Sequence, residues 1–216
     1  PKAGAVMVSD YAKGVLTPKI IATCIELGKQ HNKPVIIDPK GRDYTRYNGA
    51  TVVTPNRKEL SEACGTEIKT VDDAVKAARG LIEKYKFGAV LAKLGGDGVC
   101  LVIAGNEPIH IKATAREVFD VSGAGDTVIA GFVTAIAAGM SMEQAAYLAN
   151  EAGSIVVSKV GTATVTIEEL INNLRQLEDR DINEKVLSQN KAIELVERWR
   201  RQGLNVGFTN GCFDLI

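Results

Sequence analysis

The chain has 216 residues, 45% of them hydrophobic, which is enough for one substantial core and a smaller appended unit. Its 26 lysines and arginines balance 26 aspartates and glutamates, so composition gives no electrostatic case for binding nucleic acid or an anionic membrane. The sequence has no uncharged apolar run of about 18 residues and predicts neither a membrane span nor a signal peptide. Four scattered cysteines without a C-x-x-C pair favour reduced thiols and a cytoplasmic protein.

The first hundred residues predict an alternation of strands and helices. Strands are expected at residues 6–9, 35–37, 51–54 and 89–92. Helices are expected at residues 17–27, 56–64 and 71–85. Such alternation is typical of an α/β fold with a mostly parallel sheet and right-handed crossovers. The rest of the sequence predicts a hairpin and then only helices, at residues 98–103 and 108–112, and at 124–138, 141–157, 166–174 and 190–202.

Three predicted strands end in polar residues. Asp10 follows the first strand, Asp38 ends the second and Thr54 ends the third. Because ligands of open α/β sheets bind beyond the carboxyl ends of the strands, these residues predict a polar crevice. Lys13 and Lys40 lie just past two of the strands and are candidates for neutralising a phosphate or phosphorylated substrate, with solvated loop lysines as the alternative.

Residues 120–127 read Asp-Val-Ser-Gly-Ala-Gly-Asp-Thr and open the predicted helix 124–138. Gly123 and Gly125 would let backbone amides approach an anion closely, and the helix N-terminus adds partial positive charge. Asp126 in that turn could take a proton from a hydroxyl while the amides hold a transferring phosphoryl group. The alternative is an aspartate that only caps the helix, with glycines that shape the turn.

Two further segments have both a ligand-binding and a purely structural interpretation. Asn56 and Glu59 are three residues apart on one helical turn, and an amide with a carboxylate suits Mg²⁺. A capping box explains the same spacing. The glycine-rich segment 93–98 could bring backbone close to a nucleotide, although it lacks the Gly-Lys-Ser/Thr of a Walker loop, and a hairpin turn is the alternative.

Together and in this order, these segments resemble the ribokinase-like (PfkB) carbohydrate kinases. Residues 120–133 match the C-terminal signature of that family position by position. The resemblance implies that Asp126 is the catalytic base and that Gly123, Ala124 and Gly125 form an anion hole. It implies that ATP and Mg²⁺ are the cofactors, with the metal near Asn56 and Glu59 through water, and that a monovalent cation could bind near Asp120. The ATP-binding residues that it implies are Asn56, Arg57, Lys58, Glu59, Lys93, Gly95, Gly96, Gly98 and Asn150.

A narrower resemblance covers nearly the whole chain. Residues 9–14, 37–41, 54–56, 121–129 and 159–165 look like the heptose-phosphate kinase branch of the family. Residues 209–216 look like the first strand of a Rossmann-like cytidylyltransferase domain. A kinase followed by such a domain is the architecture of bifunctional enzymes of ADP-heptose and lipopolysaccharide core synthesis. The resemblance implies phosphorylation of the anomeric hydroxyl of D-glycero-β-D-manno-heptose 7-phosphate, with adenylylation of heptose 1-phosphate by the longer protein.

The expected domains are a C-terminal portion of the kinase at residues 1–175, a linker at 176–189, and a helix with the first strand of a truncated nucleotidyltransferase domain at 190–216. The absence of an initiator methionine and the strand-like last residues predict that both ends are cut from a longer protein, expected to be a homodimer or higher homo-oligomer. The expected partners are small molecules, with no nucleic acid and no membrane. Another sugar or nucleoside kinase, or a piece that binds nucleotide without turnover, stays open.

Overall fold

The computed structural model of the protein describes residues 3–114, 118–181 and 188–207. The chain divides into two compact units, residues 1–173 and 174–216. The predicted strand at 209–216 and part of the predicted linker lie outside the described residues. The earlier part of that linker, residues 176–181, forms the end of a helix.

The first unit is built on a six-stranded sheet whose strands lie in sequence order. The strands are β1 (Val6–Ser9), β2 (Val35–Asp38), β3 (Val52–Val53), β4 (Ala89–Lys93), β5 (Val99–Ile103) and β6 (Ile109–Ile111). Neighbours from β1 to β4 pair in parallel, whereas β5 and β6 each pair antiparallel with the preceding strand. The predicted parallel sheet and the terminal hairpin are therefore confirmed as one mixed sheet.

Seven α-helices lie in the described part of the chain. They are α1 (Pro18–Gln30), α2 (Arg57–Cys64), α3 (Val71–Tyr85), α4 (Ala124–Ala137), α5 (Met142–Val157), α6 (Ile167–Asp181) and α7 (Gln189–Arg201). Helix α6 is seven residues longer at its C-terminal end than its sequence pattern predicts. None of the described helices is both long and apolar enough to cross a bilayer.

Apolar side chains cover both faces of the sheet, because successive residues of a strand point to opposite sides. Ile37 and Val53 pack in a cluster that includes residues of α1, α2 and α3. Their neighbours Ile36 and Val52 pack on the other face with residues of α4 and α5. The result is a three-layer helix–sheet–helix arrangement in which the middle strands are buried on both sides.

Helices α4 and α5 approach closely because small residues lie between them. A Cβ on Gly131 would lie 3.4 Å from the Cα of Ala149, and one on Gly153 would lie 2.7 Å from a methyl group of Val128. A larger side chain at either position would push the helices apart. This contact fixes where the N-terminus of α4 lies against the sheet edge.

Helix α5 also carries a buried acid. The Glu151 side chain has no solvent exposure, and its Oε2 accepts a 2.9 Å hydrogen bond from the Thr114 hydroxyl. Its other oxygen, Oε1, has no hydrogen-bond partner within the described structure. Burial raises the pKa of Glu151 above its ordinary value, while the hydrogen bond from Thr114 acts in the opposite direction.

We expect Glu151→Gln to stabilise the protein at neutral pH. A carboxyl whose pKa is higher in the folded than in the unfolded state loses stability as pH rises above its unfolded pKa. The variant should therefore match the wild type near pH 4 and exceed it by about 1 kcal/mol in free energy of unfolding at pH 8. Urea denaturation at both pH values measures this difference, and a constant difference between the two would contradict it.

Candidate functional site

The strand ends and the first turn of α4 define the candidate site. Strands β1 to β4 run in parallel, so Asp10, Asp38, Thr54 and Lys93 lie at the same edge of the sheet. The predicted gathering of polar residues at this edge is confirmed. Strand β5 begins at the same edge, because Val99 pairs with Lys93 across the turn.

The N-terminus of α4 differs from the other described helix starts. Each of those starts has a Ser, Thr or Asn side chain that accepts a hydrogen bond from a first-turn amide. Helix α4 instead begins at Gly123, whose φ of 79° is left-handed, and no side chain caps it. The amide of Ala124, predicted as part of the anion hole, instead donates to the Val121 carbonyl at 3.2 Å. The amides of Gly125 and Asp126 have no hydrogen-bond partner in the described residues. Two donors are therefore free at a positive helix end.

Asp126 is the third residue of this turn. Its side chain is exposed, and it has no hydrogen bond or ion pair within the described part of the chain. Asp126 is not the N-cap, since that position is Gly123, but as an acid in the first turn it also favours the helix dipole. Both carboxylate oxygens are therefore available to a ligand, as a general base requires.

A lysine–aspartate pair spans the centre of the strand ends. The Lys93 ammonium donates a 2.9 Å hydrogen bond to Oδ1 of Asp38, and the Thr54 hydroxyl lies 3.3 Å from the same oxygen. The two charged side chains are only 12% and 16% exposed. Burial raises the pKa of the Asp38 carboxyl, although the neighbouring Lys93 charge acts in the opposite direction.

Asn56 and Glu59 form the capping box of α2. The Asn56 side chain accepts from the Glu59 amide at 2.9 Å, and Oε2 of Glu59 accepts from the Asn56 amide at 3.0 Å. The other oxygen, Oε1, pairs with the Lys40 ammonium at 3.0 Å, which raises the pKa of Lys40. With both oxygens of Glu59 engaged and a cation beside it, the pair fits a magnesium ion only through intervening water.

Asp10 lies in a closed polar cluster. Its side chain accepts hydrogen bonds from the Ala12 amide at 2.8 Å and from the Tyr47 hydroxyl at 2.6 Å, and it forms an ion pair with Arg46. These contacts leave Asp10 5% exposed, so it supports the loop after β1. Lys13, predicted as a phosphate ligand from the same loop, is exposed, without an ion pair among the described residues.

The glycine loop, residues 94–98, joins β4 to β5. Gly95 and Gly98 have left-handed φ angles of 64° and 82°, and a Cβ on Gly98 would overlap the backbone of Ile111. The loop closes with a hydrogen bond from the Leu94 amide to the Gly98 carbonyl. The hairpin-turn interpretation is therefore confirmed, and the loop's contact with a nucleotide stays a prediction.

Arg57 fastens the glycine loop to the start of α2. Its guanidinium donates to the carbonyls of Ile68, Lys69 and Leu94 and to the carboxylate of Asp97. Its neighbour Lys58 is exposed and lies 4.0 Å from the Glu62 carboxylate along the helix. Arg57, which the sequence resemblance predicts to bind nucleotide, therefore stabilises the glycine loop in this structure.

Two further predicted residues are Asn150, on α5, and Asp120, which precedes α4. Asn150 is buried, and its side-chain amide donates to the Lys112 carbonyl at 2.9 Å. Asp120 accepts a 2.8 Å hydrogen bond from the Ser122 amide, which lowers its pKa and keeps it ionised. A monovalent cation near Asp120 stays a prediction, as do the ATP contacts of Gly96 and Asn150.

Sequence reasoning missed several residues that build this edge. Asp38 was noted at a strand end, but its pairing with Lys93 joins residues 55 positions apart, and neither residue alone indicates it. Arg46 and Tyr47 lie in a segment without a recognisable motif. Glu151 did carry a signal, since it is an acid within the otherwise small and apolar middle of α5.

This fold and site define a class: an α/β domain with a glycine-rich, uncapped helix start beside polar strand ends. The family model for pfkB family carbohydrate kinases matches residues 2–170. The chain therefore belongs to the pfkB family of carbohydrate kinases.

Individual relatives agree with this assignment. The bifunctional protein HldE of Paramagnetospirillum magneticum is 52% identical over all of this chain and 44% of its own length. The protein of the same name from Rhodospirillum rubrum is 50% identical over 99% of this chain and 43% of its length. The structure of Arabidopsis thaliana ribokinase complexed with ribose and ATP is similar with a TM-score of 0.70 and 28% identity, covering 79% of this chain and 55% of that one. The chain spans less than half the length of either bifunctional HldE protein.

We expect Arg57→Met to lower the free energy of unfolding by about 1–3 kcal/mol, because the Ile68 and Leu94 carbonyls lose a charged donor. Urea denaturation measures the change. The matched control is Lys58→Met on the same helical turn, whose exposed side chain should alter stability by less than about 0.5 kcal/mol. Equal effects of the two substitutions would show that the Arg57 contacts do not stabilise the loop.

Proposed function

We propose that this chain carries the ATP-binding side of a kinase that phosphorylates the anomeric hydroxyl of D-glycero-β-D-manno-heptose 7-phosphate, giving the 1,7-bisphosphate. The chain is one part of the proposed enzyme, and a following domain would adenylylate heptose 1-phosphate. Membership of the carbohydrate kinase family and 50–52% identity to two proteins named bifunctional HldE support this proposal. The heptose specificity itself rests on the sequence resemblance of residues 9–14, 37–41 and 159–165.

The observation that carries the proposal is the open first turn of α4. Unpartnered amides at a helix N-terminus bind anions, and here they lie next to the Asp126 carboxylate, which has no hydrogen bond or ion pair within the described ranges. The six other described α-helices have a side-chain cap at this end, whereas α4 has none. An acceptor hydroxyl and a phosphoryl group would satisfy both features together.

The proposed step is an in-line transfer. The sugar hydroxyl oxygen attacks the γ-phosphorus of ATP and forms the new C–O–P bond, while the bond between that phosphorus and the bridging oxygen breaks. ADP leaves with the electron pair of the bridging oxygen. Asp126 accepts the hydroxyl proton and later returns it to solvent. The amides of Gly125, from the predicted anion hole of Gly123, Ala124 and Gly125, and of the following Asp126 stabilise the charge on the transferring oxygens.

ATP is the proposed phosphoryl donor, since the similar ribokinase structure was determined with ribose and ATP. The proposed nucleotide side of the site comprises the glycine loop and Asn150. Mg²⁺ would be held by Asn56 and Glu59 through water, in keeping with their engaged oxygens. When bound, the ion would supply neutralisation of phosphate charge. Cytoplasmic location and assembly into a homo-oligomer are part of the same proposal.

We expect Asp126→Asn to lower kcat by about 10²–10⁴-fold, because asparagine cannot accept the hydroxyl proton. The exposed position means that the fold and ATP affinity should be retained. The measurement is kinase turnover of the full-length gene product with ATP, Mg²⁺ and the heptose phosphate, beside calorimetry with MgATP.

The matched control is Asp72→Asn, which neutralises an exposed aspartate in the first turn of α3. It should leave turnover unchanged. Turnover of Asp126→Asn within a few-fold of wild type would reject the catalytic assignment. Binding of MgATP without any turnover by the wild type would identify a nucleotide-binding protein, and turnover of a different sugar or a nucleoside would reject the heptose specificity.

A further inference from the structure

The Lys93–Asp38 pair is a largely buried ion pair at the centre of the sheet edge. Lys93 ends β4, and its backbone amide is fixed by a 2.9 Å hydrogen bond to the Pro55 carbonyl. Its ammonium reaches across the end of β3 to Asp38 at the end of β2. Most of both side chains is removed from solvent, and a buried ion pair is weak evidence for stability, since desolvation offsets the attraction.

The ammonium also lies beside the open turn of α4. A Cβ placed on Gly125 would be 3.8 Å from Lys93 Nζ, so the cation lies beside a residue whose amide has no hydrogen-bond partner among the described residues. An ammonium has three donors, and the described structure engages one of them, with Asp38. Two donors therefore remain where the helix end already attracts an anion.

We propose that Lys93 contacts the transferring phosphoryl group and that Asp38 is a positioning residue that holds the ammonium at the α4 turn. This inference rests on the proposed function. It adds the positive charge of the Lys93 ammonium to the uncharged amides of the α4 turn.

The role of Lys93 is electrostatic and involves no change of its covalent bonds. As the γ-phosphorus leaves the bridging oxygen of ATP for the sugar oxygen, the ammonium keeps its three protons and donates to a phosphoryl oxygen. A cation that is already held by Asp38 needs little reorganisation during the step, which is the condition under which fixed charges lower a barrier most. Asp126 remains the group that accepts the proton.

A purely structural ion pair makes different predictions. If Lys93 only neutralised Asp38, its loss would lower stability and affect all ligands alike. If Lys93 contacts the phosphoryl group, its loss acts on the transition state and leaves the affinity for ADP nearly unchanged. The two cases are separated by comparing MgADP with MgADP plus aluminium fluoride, a mimic of the transferring phosphoryl group.

In the full-length gene product, we expect Lys93→Met to lower kcat and the affinity for the aluminium fluoride complex each by roughly 10²-fold or more, with MgADP affinity changed by less than about threefold. Lys93→Arg should recover part of both losses, because it keeps the charge. Asp38→Asn should lower kcat by about tenfold, and the double variant should be no worse than Lys93→Met, because both act through one contact. Lys69→Met, in an exposed ion pair with Glu67, is the control that should change none of these values.

The outcomes separate this inference from the proposed function. If Lys93→Met keeps kcat and aluminium fluoride affinity within about threefold of wild type while Asp126→Asn is inactive, the Lys93 inference is wrong and the kinase proposal stands. Additive losses in the double variant would reject the positioning role of Asp38. If Lys93→Met does not fold, Asp38→Asn carries the test, and wild-type kcat in that variant would overturn the inference. A wild type without turnover would instead reject the proposed function.

Discussion

The uncapped N-terminus of α4 is the constraint on which the candidate site depends. Six described helix starts satisfy a first-turn amide with a side-chain oxygen, whereas α4 starts at a left-handed glycine and leaves two amides open. An unsatisfied helix end costs stability unless water or a ligand satisfies it. Glycines at the α4–α5 contact hold this end in place, and the central strands place a buried cation beside it.

The polar groups at the sheet edge therefore divide into two kinds. Asp10, Glu59 and Arg57 are engaged by neighbours within the protein, and these contacts shape the loops that surround the crevice. The Asp126 carboxylate and the amides of Gly125 and Asp126 have no such contacts among the described residues, and the Lys93 ammonium has two donors not engaged there. Groups of the first kind build the site, and groups of the second kind are available for chemistry. Family membership agrees with that division, since phosphoryl transfer needs a base, free amides and positive charge at one point.

Much of this arrangement could be predicted from the sequence, because it depends on local signals. The alternation of apolar strands and helices predicted the sheet, and Gly123 and Gly125 predicted a start of α4 that an anion can approach. What could not be predicted depends on side-chain contacts between distant segments. The Lys93–Asp38 pair and the reach of Arg57 to the glycine loop connect residues that are 55 and 37 positions apart. Asn56 and Glu59 fitted both a metal site and a capping box; their hydrogen bonds show the capping box, and a magnesium ion bound through water stays a prediction.

The most direct test of the central claim is to observe the α4 amides themselves. In ¹H–¹⁵N spectra of the labelled protein, adding MgADP and aluminium fluoride should shift the Gly125 and Asp126 amide signals to lower field, because each amide gains a charged acceptor. MgADP alone should leave these two signals nearly in place. Unchanged Gly125 and Asp126 signals, in a protein whose glycine-loop amides respond to the same addition, would contradict the claim that this helix end holds the phosphoryl group.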